Sequence, residues 1–329
     1  MKHTKFQISI RSVWALMLAL GMMTTISQAW AAGFPDKPVT LVVGSTPGSA
    51  PDTIARIVAN RMSESLGQPV VVENRPGAAG SIGASSVARA EPDGYTLMMM
   101  TAVHSISPSV RDDLTYSFAD DFQAVGMVAS VPLLFVVNND LGTKDMAAFI
   151  ERAKQGDIFY STPGIGTIQH LATEDFAKSA GIKMTIVPYK GGGAATKAVI
   201  ANEVQLFFAG IPPALPHVKN GALTALGIST PKRSAAAPDV PTFQELGFEG
   251  YDVDNWHALY VPAGTPADVI GKLSKALNDA IALPDTAEKF LSVGASPNPN
   301  TPEIQDAFGI SEIARWKNVI ETNQIELGK

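Results

Sequence analysis

Two turns rich in glycine and hydroxyl side chains are the places in this chain where chemistry could be done. The first, Gly44-Ser-Thr-Pro-Gly-Ser-Ala-Pro-Asp-Thr53, follows the apolar run Val39–Val43. It precedes a stretch in which Ile54, Ile57, Val58, Met62 and Leu66 recur at helical spacing. A buried strand, a small-residue turn and a helix start therefore meet within about ten residues. The first N–H groups of a helix lack intrahelical acceptors, and its dipole is positive at that end. Such a junction holds an anion without needing a lysine. The second turn, Ser161-Thr-Pro-Gly-Ile-Gly-Thr167, has the same form far along the chain. Two facing anion cradles predict a clamp for a negatively charged ligand.

The elements that must position these turns alternate in type. Val70–Glu73 reads as a strand leading into Asn74-Arg-Pro-Gly-Ala-Ala-Gly80, followed by a short helix over Ser81–Ala90 and a strand over Tyr95–Thr101. Gln123–Val137 reads as one or two strands broken near Pro132, and Thr143 is the expected cap of a helix running to about Gln155. A strand over Ile158–Ser161 precedes a helix that starts near Thr167 and stops at Gly181, a glycine C-cap. Strands over Met184–Val187, Val204–Phe208 and Leu223–Ser229 flank a helix over Ala194–Asn202. This alternation implies an α/β fold of βαβ units and a mostly parallel sheet. After Pro262-Ala-Gly-Thr-Pro266 the chain reads as helices, with apolar stripes through Ile270, Leu273 and Leu277 and through Ile313, Trp316 and Ile320.

Composition narrows the function. Lys2, Lys5 and Arg11, the short apolar run Val13–Met23 and Ala29-Trp-Ala31 form an expected signal peptide, residues 1–31, cleaved near Ala31. The mature protein is then exported and soluble, in a bacterial periplasm. Its net charge is more negative than the −6 of the whole chain, because the leader carries bases and no acids. That excludes nucleic acid as a partner, and it means an anionic ligand must rely on local donors. The chain has no cysteine, so disulfides and thiolate metal sites are excluded. Stability must come from packing, which 46% hydrophobic residues can supply. We expect a monomer.

Enzyme signatures are missing. There is no Gly-x-Ser-x-Gly elbow and no Walker loop, and Gly164-Ile-Gly166 fails as a dinucleotide fingerprint because Gln169 takes the third glycine position. His104, His170, His217 and His257 are too far apart in sequence to form a metal-binding helix face. We therefore expect no enzyme activity, no cofactor and no metal.

The chain resembles the substrate-binding proteins of tripartite tricarboxylate transporters, the TctC or Bug family, over the whole mature length. The resemblance is carried, in order, by Phe34-Pro-Asp-Lys-Pro38, Pro47-Gly48 with Asp52 and Ala55-Arg56, and Leu66-Gly-Gln-Pro69. Val71-Val-Glu-Asn-Arg-Pro-Gly77, Pro92-Asp-Gly-Tyr-Thr96, Tyr160-Ser161 with Gly164, Gly166, Thr167 and His170-Leu-Ala172, Val187-Pro-Tyr-Lys-Gly191 and Leu215-Pro-His-Val-Lys219 follow. The resemblance implies a type II periplasmic-binding-protein fold with two lobes joined by crossing strands and the ligand cleft between them. Lobe 1 would comprise residues 32–131 plus 255–329, and lobe 2 residues 132–254. It further implies a receptor that captures a small carboxylate and delivers it to the membrane permease subunits of such a transporter. A sensory partner of a signalling receptor, or an enzyme or accessory reusing the cleft, are the alternatives.

With that resemblance, Ser45, Thr46, Gly48 and Ser49 are expected to touch the ligand, whereas Asp52 is expected to cap the helix. Ser161, Thr162, Gly164, Gly166 and Thr167 form the facing cradle, with Thr167 also a helix cap. His170 is open between a structural hydrogen bond and a ligand contact. Thr101, Ala102 and His104 should reach the cleft floor, since α/β sites lie beyond strand C-termini. Tyr189 and Lys190 precede another helix start, and Lys190 is either an ordinary surface lysine or a cation near the cleft. Ala209 and Gly210 end a strand where a ligand could approach the backbone. Trp256 is expected in the core. Many relatives carry an aromatic residue and a further glycine where this chain has Thr46 and Ser49, and polar groups where it has Ile165 and Ala209-Gly210. The cleft therefore reads as less polar than usual, suited to a carboxylate with an apolar or aromatic body.

Overall fold

The structure, a computed structural model, describes residues 33–325; the expected signal peptide lies outside them. Two sheets form. The first contains β1 (Val39–Val43), β2 (Val70–Asn74), β3 (Thr96–Thr101), β4 (Phe122–Ser130), β10 (His257–Pro262) and β11 (Ser296–Pro297), in the order β11-β4-β10-β3-β1-β2. The second contains β5 (Leu133–Asn138), β6 (Phe159–Thr162), β7 (Thr185–Pro188), β8 (Leu206–Gly210) and β9 (Leu223–Ile228), in the order β7-β6-β8-β5-β9.

The βαβ units pair in parallel as expected: β1 with β2 and β3, and β6 with β7 and β8. The sheets are nevertheless mixed rather than mostly parallel. β10 runs antiparallel to β3 and β4, and β5 antiparallel to β8 and β9. A parallel neighbour needs a crossover of a dozen or more residues. The strands that arrive directly from the other sheet have none, so they enter running the other way. The chain crosses from one sheet to the other at Val131–Pro132 and returns at Asp254–Trp256. There Pro132 and Asp254 form an isolated antiparallel bridge, and the Asn255 amide donates to the Val131 carbonyl at 3.2 Å.

The helices cover these sheets. α1 (Ala50–Leu66) buries Ile54, Val58 and Met62, one helical turn apart, in the cluster that includes Leu41 and Val43 of β1 and Leu273 of α8 (Ala267–Ile281). It starts three residues earlier than the apolar periodicity suggests. Ser49 is the N-cap and Pro51 sits in the first turn, where a missing N–H costs nothing. α2 (Ser81–Ala88) and α3 (Ala102–Val110) follow β2 and β3. In the second lobe lie α4 (Met146–Lys154), α5 (Ile168–Ala180), α6 (Gly192–Ile200) and α7 (Ile211–Lys219). The α4 cap is Asp145, whose carboxylate accepts from the Ala148 amide at 2.8 Å, rather than Thr143. α9 (Pro284–Ser292) and α10 (Pro302–Asn323) complete the fold.

One apolar cluster runs through both lobes. It links Val42 and Met98 of the first sheet, through Trp256 and Trp316, to Phe135 and its ring neighbours in the second. Phe135 meets Phe149, Phe176 and Phe208 edge-on at 4.9–5.0 Å between centroids. Trp256 is fully buried, as its size predicts, and both indole N–H groups donate to the Glu312 carboxylate of α10, at 3.3 and 3.0 Å. Among the described residues, no helix is long and apolar enough to cross a membrane.

Candidate functional site: the cleft between the lobes

β1 and β3 run in parallel side by side, so their C-terminal ends deliver two loops to one edge. The loop after β1 leads into α1, and β3 passes directly into α3. Between these loops lies a cavity of about 380 Å³, in the range of small-molecule sites.

The first loop is held by a buried carboxylate. Asp52, only 3% exposed, accepts from the Gly48 amide at 2.8 Å and from Asn74 Nδ2 at 2.9 Å, and pairs with Arg56 at 3.0 Å. Burial alone would push its acidity down. The hydrogen bonds from Arg56, Gly48 and Asn74 outweigh that and hold its pKa below the ordinary value. Asp52 is thus the third residue of the helix rather than its cap, and it shapes the loop from behind. Asn74 Nδ2 also donates to the Ser45 carbonyl at 3.0 Å. The Ser45 and Ser49 hydroxyls lie 2.6 Å apart. Among the described residues, the Ser45 and Thr46 amides have no acceptor, and both residues line the cavity.

The floor comes from β3 and α3. Thr101 caps α3, and its own amide donates to His104 Nδ1 at 3.0 Å, closing a reciprocal capping box. Both residues line the cavity; Ala102 is buried beside them without lining it. Burial pushes the His104 pKa down to about 4, although contacts with the Thr101 and Gly80 backbone act against this, so the ring is neutral. The third wall is the segment Pro76–Gly80, which sequence reasoning left out of the site. Gly44 fits under it because an added Cβ would sit 2.7 Å from the Gly80 Cα. The signal was available: Pro76-Gly77 follows a strand parallel to β1, so its loop falls at the same edge.

From the second lobe, Thr167 alone among the expected residues lines this cavity. It caps α5, its hydroxyl accepting from the His170 amide at 3.4 Å. The rest of that cradle is largely tied up internally. Gly166 N–H donates to His170 Nδ1 at 3.1 Å, Thr162 Oγ1 donates to the Gly164 carbonyl at 2.9 Å, and the buried Ser161 hydroxyl donates to the Ala195 carbonyl at 3.1 Å. His170 is 2% exposed and stacks on Tyr160, so its visible role here is to hold the loop. Gly48 and Ser49 belong to the first loop but do not line the cavity. Neither do Tyr189, whose hydroxyl donates to Glu203 at 3.2 Å, the exposed Lys190, or Ala209 and Gly210, which pair with Leu134 and Leu133 at the end of β8.

Every side chain around the cavity is uncharged: small, hydroxyl-bearing or apolar, plus the neutral His104. No group of three or more acidic or histidine side chains that could hold a metal ion occurs among the described residues. Unpaired amides, hydroxyls and two helix N-termini converge on one cleft between two α/β lobes. This is the architecture of a periplasmic-type solute-binding protein. Residues 54–325 match the tripartite tricarboxylate transporter family receptors, TctC, and the chain belongs to that family. It is 34% identical over 298 residues to Protein BugT of Bordetella pertussis, covering 89% of this chain and 91% of that one. An R. palustris protein solved with adipate superimposes with a TM-score of 0.79 at 33% identity, covering 89% and 99% of the two chains. MatC of Rhodopseudomonas palustris, solved with bound malate, does so at 0.74 and 30%, covering 87% and 100%. These structural neighbours carry the same two-lobed fold.

Proposed function

We propose that this chain is an extracytoplasmic receptor that captures a small carboxylate, with an apolar or aromatic body, in the interlobe cleft and delivers it to the membrane subunits of a tripartite transporter. The observation that carries the reading is the cleft's chemistry: oriented neutral donors and no charged side chain. Preorganised dipoles favour a carboxylate without the desolvation cost of a buried counter-ion. The absence of a lining arginine or lysine disfavours ligands that bury several negative charges. The relatives solved with adipate and malate support the carboxylate class.

Capture would proceed by closure. The anion meets the Ser45 and Thr46 amides and the α3 terminus first, and Thr167 then closes over it from the second lobe. Binding stabilises the closed form only by its differential affinity for that form. Water exclusion strengthens the dipolar contacts. The test is a thermal-shift and calorimetric screen of benzoate, adipate, malate, citrate and glutamate against the purified mature protein. The aromatic or long-chain acids should raise the melting temperature most. Stabilisation by citrate with none by the others would refute the reading. Delivery is tested by uptake of the bound acid into vesicles carrying the membrane subunits, with and without the receptor.

A further inference from the structure

Four successive residues of the cleft wall run through the left-handed region of backbone space: Gly77, Ala78, Ala79 and Gly80 have φ of 124°, 48°, 55° and 90°. Two of these positions require glycine. Gly77 has a φ that side-chain-bearing residues rarely adopt, and a Cβ at Gly80 would lie 2.9 Å from His104 Nε2. The two alanines have no such reason. In this region the Cβ of an L-residue crowds the carbonyl oxygen that follows, so glycine would be the relaxed choice at both. Among the described residues the other non-glycine positions with positive φ are Asp157, Asn202 and Gln324, and none of them lines the cavity, whereas Ala79 does. Ala78, alone in the segment Pro76–Gly80, does not line it.

The turn has a firm base. The Arg75 amide donates to the Val43 carbonyl of β1 at 2.9 Å, the Gly80 amide to the Gly77 carbonyl at 2.9 Å, and the Ser81 amide to the Ala78 carbonyl. Gly80 is buried against Gly44, while Ala79 is exposed. A pinned turn thus carries a methyl group on the cavity wall, where glycine would leave bare peptide. Resting on the carboxylate-receptor reading above, we propose that Ala79 is a specificity-determining residue of the cleft: the left-handed turn holds its methyl against the body of the ligand and so selects a body that is apolar where the two meet. A hydroxyl placed there would give up water for a group that cannot hydrogen-bond to it. Recognition is then divided. The Ser45 and Thr46 amides answer to the carboxylate, and Ala79 answers to what the carboxylate is attached to.

The test compares wild type, Ala78→Gly, Ala79→Gly and Ala79→Asn by calorimetry with adipate and malate, with folding of each checked by its melting curve. Both glycine variants relieve the same backbone crowding and loosen the same turn, so their melting temperatures should match. Only Ala79→Gly takes a methyl group from the ligand. It should bind adipate about two- to fourfold more weakly than Ala78→Gly does. Asparagine tolerates the left-handed region and brings both a donor and an acceptor to the wall. Ala79→Asn should therefore shift the adipate-to-malate affinity ratio toward malate by at least about fivefold. A turn that serves only to shape the loop would weaken both acids alike and leave that ratio unchanged. An unchanged ratio in Ala79→Asn overturns the proposal, as does a wild-type preference for malate. If Ala79→Asn does not fold, the two glycine variants decide, and equal affinities overturn the proposal. A wild type that takes neither acid, nor benzoate, refutes the receptor reading and this inference with it. A wild type that binds, with every variant keeping its preference, removes the role of Ala79 alone.

Discussion

The cleft and a second cavity at the crossover are similar in size and opposite in chemistry. The cleft, about 380 Å³, has no charged side chain on its wall. The crossover cavity, about 440 Å³, is walled by Asp252, Asp254, Glu312, Lys232, Arg233 and Arg315 among others. There the charges join segments of different lobes. Asp254 accepts from the Val131 amide at 2.8 Å, and Arg315 of α10 pairs with Glu312 at 3.2 Å and donates to the Asp252 carbonyl. The difference teaches where each kind of interaction is useful. A receptor must release its ligand, and neutral donors hold an anion without a strong, salt-sensitive ion pair. Charges serve instead where the two sheets must stay connected.

The comparison breaks most directly at Asp52, a buried carboxylate that supports the cleft from behind. Asp52→Ala removes the acceptor for Gly48, Asn74 and Arg56 together. We expect a loss of about 2–4 kcal/mol in urea unfolding at neutral pH, and weaker binding of any carboxylate that the wild type takes. Unchanged stability with unchanged binding would show that the loop holds its shape without this network. Gly44→Ala acts on the same wall by steric means alone. Its Cβ would meet the Gly80 backbone at 2.7 Å, where no side chain can swing away. A cost of about 2 kcal/mol is expected, with reduced affinity from a displaced Pro76–Gly80 wall.

Asp254→Asn sharpens the other side. Burial pushes the Asp254 carboxyl up to about 7, against the Ser130 and Val131 hydrogen bonds, with the Asp252 and Glu312 charges adding to the rise. A carboxyl whose folded-state value lies above its unfolded one near 3.8 favours folding at low pH, and that advantage is lost as pH rises to about 7. Asparagine keeps an acceptor for the Val131 amide and removes the charge. The variant should therefore be more stable than wild type by about 1–2 kcal/mol at pH 8, with the gain gone at pH 4. Chemical denaturation at the two pH values measures this. A gain that is the same at both would assign it to packing instead of ionisation.

The two regions also differ in how far they could be read before the structure. Ser45, Thr46, Thr101, His104 and Thr167 were legible because strand ends, small residues and helix starts are local patterns. Pro51 obscured the true start of α1, and α3 and α7 went unread because Pro108, Pro212, Pro213 and Pro216 look like breakers although the first turn and an exposed face tolerate them. Gly48 turns its amide back to Asp52, and the reach of Lys190 and Gly210 toward the cavity depends on how the lobes sit, which no local pattern encodes. The crossover cavity was illegible for the same reason. Ser130, Lys232, Asp254, Asn298 and Arg315 come together only once the chain has crossed between the sheets.

The smallest expected effect is the most diagnostic of the charge-free cleft. The chain is acidic, with a formal net charge of −6, so its overall field repels an anion, and added salt screens that repulsion. With no cation on the cavity wall there is no attraction for salt to weaken. The dissociation constant of a bound carboxylate should then fall slightly, by about twofold or less, between roughly 50 and 500 mM sodium chloride. Calorimetry across that range checks the sign as well as the size. Weakening by more than about threefold would mean that a basic side chain reaches the ligand in the closed form, with Lys190, just before the Gly191 turn, the candidate offered by the sequence. Repeating the titration with Lys190→Ala separates the cases: a salt dependence carried by that lysine disappears with it, whereas the field of the whole chain remains.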